Sequence, residues 1–349
     1  MVRHQPIEIQ TLYAELLEQL AAYEAQRGIG HLPGGFVTKS LKGHTYYYFQ
    51  YLEPGGAKRQ VYLGRQDAVL DAVVKRFESA REDVAEDQSS IQRLCALLRT
   101  GGALATDAAS ARVIRGLADS GVFRLGGVLV GTHAFMVLGN VLGVSWSGAG
   151  IRTQDVDVAA ERRMGIAMPG EEADVPAALE SLEMGFLPVP GLDAASPTTS
   201  FKVRGQGLRV DLLAPSPTSD QGPLMIHRFS AAALRLRFLD YVMEGAIRAA
   251  VINGGGVSVV VPDPARFALH KLIVAGERPA MQAAKRDKDL WQASQVLEVL
   301  TADRPGDVVP AWEALVARGS GWERRVRAGL EGVSALSPKT AEKVRALVG

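Results

Sequence analysis

Residues 154–159, Gln-Asp-Val-Asp-Val-Ala, place the tightest limit on the architecture. Valine alternating with aspartate has period two, so the run is a strand with Val156 and Val158 turned to a core and Asp155 and Asp157 turned together the other way. Side chains two apart on a strand lie about 6.5–7 Å apart. Two carboxylates at that spacing repel, and each is costly to bury without a cation or a positive partner. The fold therefore needs a sheet packed with apolar side chains on one face and met by positive charge on the other.

A third aspartate, Asp211, sits inside a second apolar run, Leu-Arg-Val-Asp-Leu-Leu-Ala-Pro (208–215). If the two runs are neighbouring strands, three carboxylates reach one edge of the sheet, and such hard oxygen donors suit Mg²⁺, with Mn²⁺ as a substitute. Upstream, Val-Leu-Val-Gly-Thr-His-Ala-Phe (128–135) reads as a strand, a glycine turn and a helix start. Gly131 permits close backbone approach, Thr132 offers a hydroxyl, and the N–H groups of a helix N-terminus attract phosphate. Arg152 and Thr153, just before the paired aspartates, are further candidates for phosphate binding.

This order of motifs resembles the nucleotidyltransferase superfamily of the DNA polymerase β type: a glycine followed by Gly, Ser or Thr, then D-x-D or D-x-E, then a distal aspartate. The chain is most similar to a bacterial family of nucleotidyltransferase-fold proteins. In that comparison both the stretch from Gly131 to Ala159 and the segment from Tyr46 to Gly64, Tyr-Tyr-Tyr-Phe-Gln-Tyr-Leu-Glu-Pro-Gly-Gly-Ala-Lys-Arg-Gln-Val-Tyr-Leu-Gly, are familiar. The resemblance implies an α+β fold: a polymerase-β-like core of mixed sheet and flanking helices, an N-terminal helix and β-hairpin unit, and a C-terminal helical unit. It also implies NTP as substrate, Asp155, Asp157 and Asp211 as catalytic metal ligands, and Gly131 and Thr132 at the triphosphate. One departure is length: 22 residues separate Thr132 from Asp155, and Gly-Val-Ser-Trp-Ser-Gly-Ala-Gly-Ile (143–151) reads as an extra loop.

A more distant similarity is to abortive-infection and toxin nucleotidyltransferases, which carry a helical lysine and a later Lys-Asp pair. The matching positions are Lys271, implied to contact the triphosphate, and Lys288 with Asp289, implied to organise the site. Arg278 lies seven residues beyond Lys271, on nearly the same helical face. Lys285, Lys288, Asp289 and Gln292 form one stripe of the next helix; the toxin pattern has an aspartate where this chain has Gln292.

Around this centre the pattern divides at about 100 and 261. Residues 1–100 read as a helix, a hairpin or small meander through Pro54–Gly56, and a long charged helix interrupted near Gln88–Ser90. Tyr46–Tyr48 and Tyr51, with Lys42, Lys58 and Arg59 close by, suit either a nucleic-acid stacking platform or the ordinary preference of aromatic residues for strands. Residues 101–261 mix strands and helices and close with a hairpin turning on Gly254–Gly256. Residues 262–349 are helical, opened by Asp263 as cap and Pro264 in the first turn.

Lys plus Arg (39) nearly balance Asp plus Glu (38), so a nucleic-acid or membrane partner needs a local patch. A single cysteine, Cys95, excludes an internal disulfide and a cysteine-rich zinc site. No leader pattern and no apolar run of membrane-spanning length occurs, which fits a cytoplasmic protein. His133 and His270 read as packing histidines, and no paired zinc spacing links the six histidines.

The expected activity is Mg²⁺-dependent transfer of a nucleoside monophosphate from an NTP, such as ATP, to an acceptor hydroxyl, with release of pyrophosphate. The acceptor is open between RNA such as a tRNA end, a protein and a small molecule. Two other readings share the pattern: a nucleotide-binding module without turnover, and a toxin or defence component restrained by a regulatory partner protein.

Overall fold

The computed structural model describes the chain apart from residues 1, 33, 53–56, 148–152, 162–171, 191–195, 217–221 and 254. The chain opens with β1 (Arg3–His4) and α1 (Ile7–Ala25), followed by an antiparallel meander of β2 (Gly35–Leu41), β3 (His44–Leu52) and β4 (Lys58–Arg65) with β3 in the middle. Next comes α2 (Ala68–Thr100), capped by Asp67, which accepts the Leu70 N–H at 2.8 Å. The interruption expected near Gln88–Ser90 is absent, because α2 has no Gly or Pro to break it and Ile91, Leu94, Cys95 and Leu98 continue the buried stripe.

That stripe packs on Ile9, Tyr13, Leu16 and Leu20 of α1. Leu16 and Leu98 are fully buried, each worth roughly 1.5–3 kcal/mol of hydrophobic stabilisation. The Tyr13 hydroxyl accepts the Ala250 N–H at 3.0 Å, which ties this helical pair to the central part of the chain.

The central part runs α3 (Ala108–Asp119), β5 (Val128–Val130), α4 (Gly131–Val141), β6 (Val144–Ser145), β7 (Asp155–Ala159), α5 (Val175–Ser181), β8 (Phe186–Pro188), β9 (Ser200–Val203), β10 (Arg209–Ser216), β11 (Pro223–Ile226), β12 (Ala231–Arg237), α6 (Leu239–Met243), β13 (Ile247–Val251) and β14 (Val257–Val261). Its seven-stranded mixed sheet has the order β11-β12-β10-β7-β5, with β9 and β8 continuing from the first half of β10. β7, β10 and β12 are mutually parallel; β5 is antiparallel to β7. β13 and β14 form the expected hairpin. Gly254 of its expected glycine turn lies outside the described residues.

The expected loop at 143–151 is partly core. Val144 and Ser145 pair with His4 and Arg3, while Trp146 stacks on Phe135 with centroids 4.7 Å apart and donates its indole N–H to the Phe135 carbonyl at 2.6 Å. The remainder of that segment, 148–151, is outside the described residues.

The last quarter is helical: α7 (Pro264–Glu277), α8 (Ala283–Asp303), α9 (Pro305–Val316), α10 (Ser320–Leu336) and α11 (Pro338–Val348). Asp263 caps α7 by accepting the Arg266 N–H at 2.9 Å. One apolar cluster extends from Val113 of α3 to Val344 of α11, so strands and C-terminal helices share a core across the boundary expected at 261. α7 and α10 cross closely at Gly329, where an added Cβ would lie 2.7 Å from the Leu272 carbonyl carbon. Among the described residues, no helix is long and apolar enough to cross a membrane.

Candidate active site

Strand register assembles the acidic face. β7 and β10 place Asp157 directly opposite Asp211, and Asp155 opposite Arg209. Neighbouring strands lie about 4.8 Å apart, so the Asp157 and Asp211 side chains leave the sheet side by side. Val156, Val158, Val210 and Leu212 point the other way and are buried, as the alternation requires.

On the other side of β7, Val130 pairs with Asp157, which brings the next residue, Gly131, against that carboxylate. Gly131 has φ +67°, a left-handed conformation that a side chain disfavours. An added Cβ would overlap Asp157 Oδ2 and lie 3.2 Å from its Cγ. Glycine is needed here for both backbone shape and space. α4 begins at this residue, and Val130 brings no capping side chain, so its first-turn N–H groups lack that partner.

Asp157 has its pKa pushed up to about 7, first by burial and then by the charges of Asp211 and Asp155, with Lys271 and Arg209 opposing. Asp211 is held differently. Its Oδ1 accepts from Arg209 Nε at 2.7 Å and from the Ser200 hydroxyl, while Arg209 Nη2 also donates to Ser200 Oγ at 2.8 Å. Ser200 reaches this position because β9 pairs with β10 in the register Ser200 to Asp211. Among the described residues, no group of three or more His, Cys, Asp or Glu side chains is arranged to hold a metal ion. The carboxylates share a face of the sheet, but Asp211 is turned to Arg209 and Ser200.

Positive charge arrives from the C-terminal helices. Lys271 of α7 donates to Asp289 Oδ1 at 2.6 Å, and Arg278, at the end of the same helix, donates through Nε to Oδ2 at 2.9 Å. The Asp289 side chain is only 4% exposed. Burial alone would raise its pKa, but Lys271 and Arg278 hold it below the usual carboxylate value. Lys288, one residue earlier on α8, has its pKa lowered by burial and by Lys271, against the pull of Asp289, Asp155 and Asp157.

A nucleotidyltransferase family model matches residues 108–317. The chain belongs to the nucleotidyltransferase family. The match starts at the first residue of α3 and runs through α9, so it holds both the acidic sheet face and the Lys271–Asp289–Arg278 cluster. This nucleotidyltransferase is also similar to a crystal structure of an antigenic nucleotidyltransferase-like protein from Paracoccidioides brasiliensis, with 14% identity, a TM-score of 0.32, and coverage of 63% of this chain and 94% of that one. No curated protein matches it.

The nucleotidyltransferase thus brings Gly131, Asp155, Asp157 and Asp211 to one sheet region, with Lys271 and Lys288 close enough to act on Asp157 electrostatically. Thr132 is buried in the first turn of α4. Thr153 Oγ1 accepts the Asp155 N–H at 3.1 Å and so shapes the entry to β7. Arg152 lies outside the described residues. Asp289, implied together with Lys288 to organise the site, pairs with Lys271 and Arg278.

His133 is 1% exposed, and burial lowers its pKa to about 4; neither ring nitrogen has a hydrogen-bond partner among the described residues. Sequence reasoning missed Arg209 and Ser200. Arg209 carries a local signal, since it stands two residues before Asp211 on the same face. Ser200 carries none, because only register brings it there.

Proposed function

We propose that this chain transfers a nucleoside monophosphate from an NTP to an acceptor hydroxyl, releasing pyrophosphate, on a core of the polymerase β type. The observation that carries this reading is the pairing of Asp157 with Asp211 across parallel strands, with the side-chain-free Gly131 and the start of α4 against Asp157. A divalent cation suits the donors: they are hard carboxylate oxygens, and their mutual repulsion is what an ion would relieve.

Asp155 and Asp157 would hold Mg²⁺ or Mn²⁺, joined by Asp211, whose Oδ1 also accepts from Arg209 and Ser200. Such an ion, when bound, polarises phosphoryl oxygens and lowers the pKa of an attacking hydroxyl.

The chain's own groups do the rest. N–H groups at Gly131 and the first turn of α4 bind phosphate oxygens, and the missing Cβ lets the triphosphate lie against the strand end. Lys271 and Lys288 offset triphosphate charge, while Asp289 and Arg278 fix the Lys271 side chain. The acceptor oxygen forms a bond to the α-phosphorus as the bond from that phosphorus to the bridging oxygen breaks. The acceptor proton passes to Asp211, and pyrophosphate leaves with the electron pair.

The test is incubation with each α-labelled NTP and Mg²⁺ in the presence of total RNA or total protein. Label transfer that is lost in Asp155→Asn and Asp157→Asn, and lost with EDTA, is the expected result. The clamp of Arg209 and Ser200 on Asp211 favours one second reading, a nucleotide-binding module without turnover. Saturable nucleotide binding with no transfer under any NTP would replace the first reading with the second.

A further inference from the structure

The tyrosines near the N-terminus are sorted by the meander into two faces. Tyr47 points at α2, where it is buried and donates to Asp71 Oδ1 at 2.8 Å. Phe49 and Phe36 flank it and meet Phe77 of α2 with ring centroids 5.9 and 5.1 Å apart. This face is the sheet's own core.

Tyr46 and Tyr48, by alternation, stand on the opposite face, and strand pairing places Tyr62 of β4 opposite Tyr48. The Tyr62 ring lies 5.4 Å from Tyr48 and 6.2 Å from Tyr46, and Tyr62 is 57% exposed. Lys39 of β2 sets its ammonium 4.5 Å from the Tyr48 centroid. Beside the rings, Gln60 Nε2 donates to Gln50 Oε1 at 2.8 Å. On this face Lys39, Lys58, Gln60 and Tyr62 are exposed, and Tyr46, Tyr48 and Gln50 are half-buried.

Charge selects the occupant. Residues 35–65 carry Lys39, Lys42, Lys58, Arg59 and Arg65 against a single acidic residue, Glu53, although the whole chain is nearly neutral. Asp71 and Glu78 of α2 act on Tyr47 and so belong to the covered face. A second copy of the same face would carry the same sign of charge and be repelled. A polyanion with flat, stackable groups fits, and an antiparallel sheet that presents aromatic rings among cations is how single-stranded RNA is commonly bound. The tyrosine hydroxyls and the glutamine amides add groups that can reach a ribose 2′-hydroxyl.

We infer that the outer face of β2-β3-β4, centred on Tyr46, Tyr48 and Tyr62, is a docking surface for single-stranded RNA. α2 then sets the spacing. Its Phe77 holds the sheet while Leu98 packs on α1, about 30 Å further along the helix at 1.5 Å per residue. A strand on the rings is therefore held at a distance from the part of α2 that joins the core, as suits an acceptor gripped away from its reacting end. That acceptor role rests on the nucleotidyl-transfer reading; the docking surface does not.

The experiment uses the full chain and fluorescence anisotropy of labelled oligo-uridylate, with oligo-deoxythymidylate and duplex RNA as parallel arms. Each ring stacked on a base is worth about 5- to 150-fold in affinity. Replacing Tyr46, Tyr48 and Tyr62 together by Ala should weaken oligo-uridylate binding at least tenfold, and replacing all three by Phe should retain most of it. Lys39→Ala with Lys58→Ala should flatten the dependence of affinity on salt. Lys339→Ala with Lys343→Ala, exposed cations of α11, should bind as wild type does.

Absence of binding at low salt, equal binding of duplex, tighter binding of the deoxy strand, or a folded all-Ala variant that binds normally would each overturn the proposal. Loss of binding in a folded all-Phe variant would overturn the stacking basis. Oligo-uridylate binding that depends on the three rings, with no label transfer by the wild type, would keep the surface and reject only the transfer reading.

Discussion

Gly131→Ala should separate what this glycine does for folding from what it does for the site. At φ +67° an alanine is strained by about 1–2 kcal/mol, and the stiffer unfolded chain returns about 0.4–1 kcal/mol of that. The net loss of stability should be about 1 kcal/mol, a modest shift in a urea unfolding midpoint. Space is the larger matter. The new methyl would overlap Asp157 Oδ2 and approach Cγ to 3.2 Å, whereas carbon atoms normally rest about 3.5–4 Å apart. Because the clash is with a side chain, the fold survives, but the carboxylate must turn aside by about 1 Å. A displacement of that size in a reacting constellation costs about 100-fold in rate. Single-turnover transfer from an α-labelled NTP, measured beside the urea midpoint, should show a near-normal fold and a hundredfold slower reaction. Activity within threefold of wild type would refute the idea that Gly131 exists to seat Asp157.

Asp289→Asn removes the buried partner of Lys271 and Arg278 and should destabilise the protein by roughly 3–5 kcal/mol in denaturant titrations, with Lys271 no longer held toward the sheet. Because the Asp289 pKa is depressed, its contribution is present above the unfolded value and disappears as pH falls below about 4, so acid unfolding should be less steep in Asp289→Asn. His133 works in the same sense from a different cause. Burial lowers its pKa to about 4, with Lys288 adding to the shift and Asp107 opposing it, so between about pH 6.5 and 4 the unfolded chain takes up a proton that the native chain refuses. Stability should drop by about 3 kcal/mol over that window, and His133→Leu should remove that part of the pH dependence. Gly329→Ala places a Cβ against the Leu272 backbone, next to Lys271, and should cost about 1–3 kcal/mol and slow transfer as α7 is pushed from α10, read by urea midpoint and single-turnover rate together.

The local features were legible because their causes are local. Alternation in 154–159 set Asp155 and Asp157 on one face, Asp263 and Pro264 marked the start of α7, and Gly131 between an apolar strand and a helix marked the turn. The unbroken α2 was not legible, since two serines in a row lower helix propensity while the stripe from Ile91 to Leu98 outweighs them through packing on α1. The loop expected at 143–151 hid a short strand and Trp146, which need β1 and Phe135, far off in the chain, to make them structure.

By itself the sequence determined which side chains share a face within each element, because that follows from periods of 2.0 and 3.6 residues along a single stretch of backbone. The tertiary structure alone decided that Asp157 faces Asp211, that Ser200 and Arg209 hold Asp211, that Asp289 joins Lys271 to Arg278, and that Tyr62 completes the rings of Tyr46 and Tyr48. Each of these depends on the register or crossing of elements distant in the chain. A slip of one residue between strands would reverse every facing while leaving each local pattern unchanged.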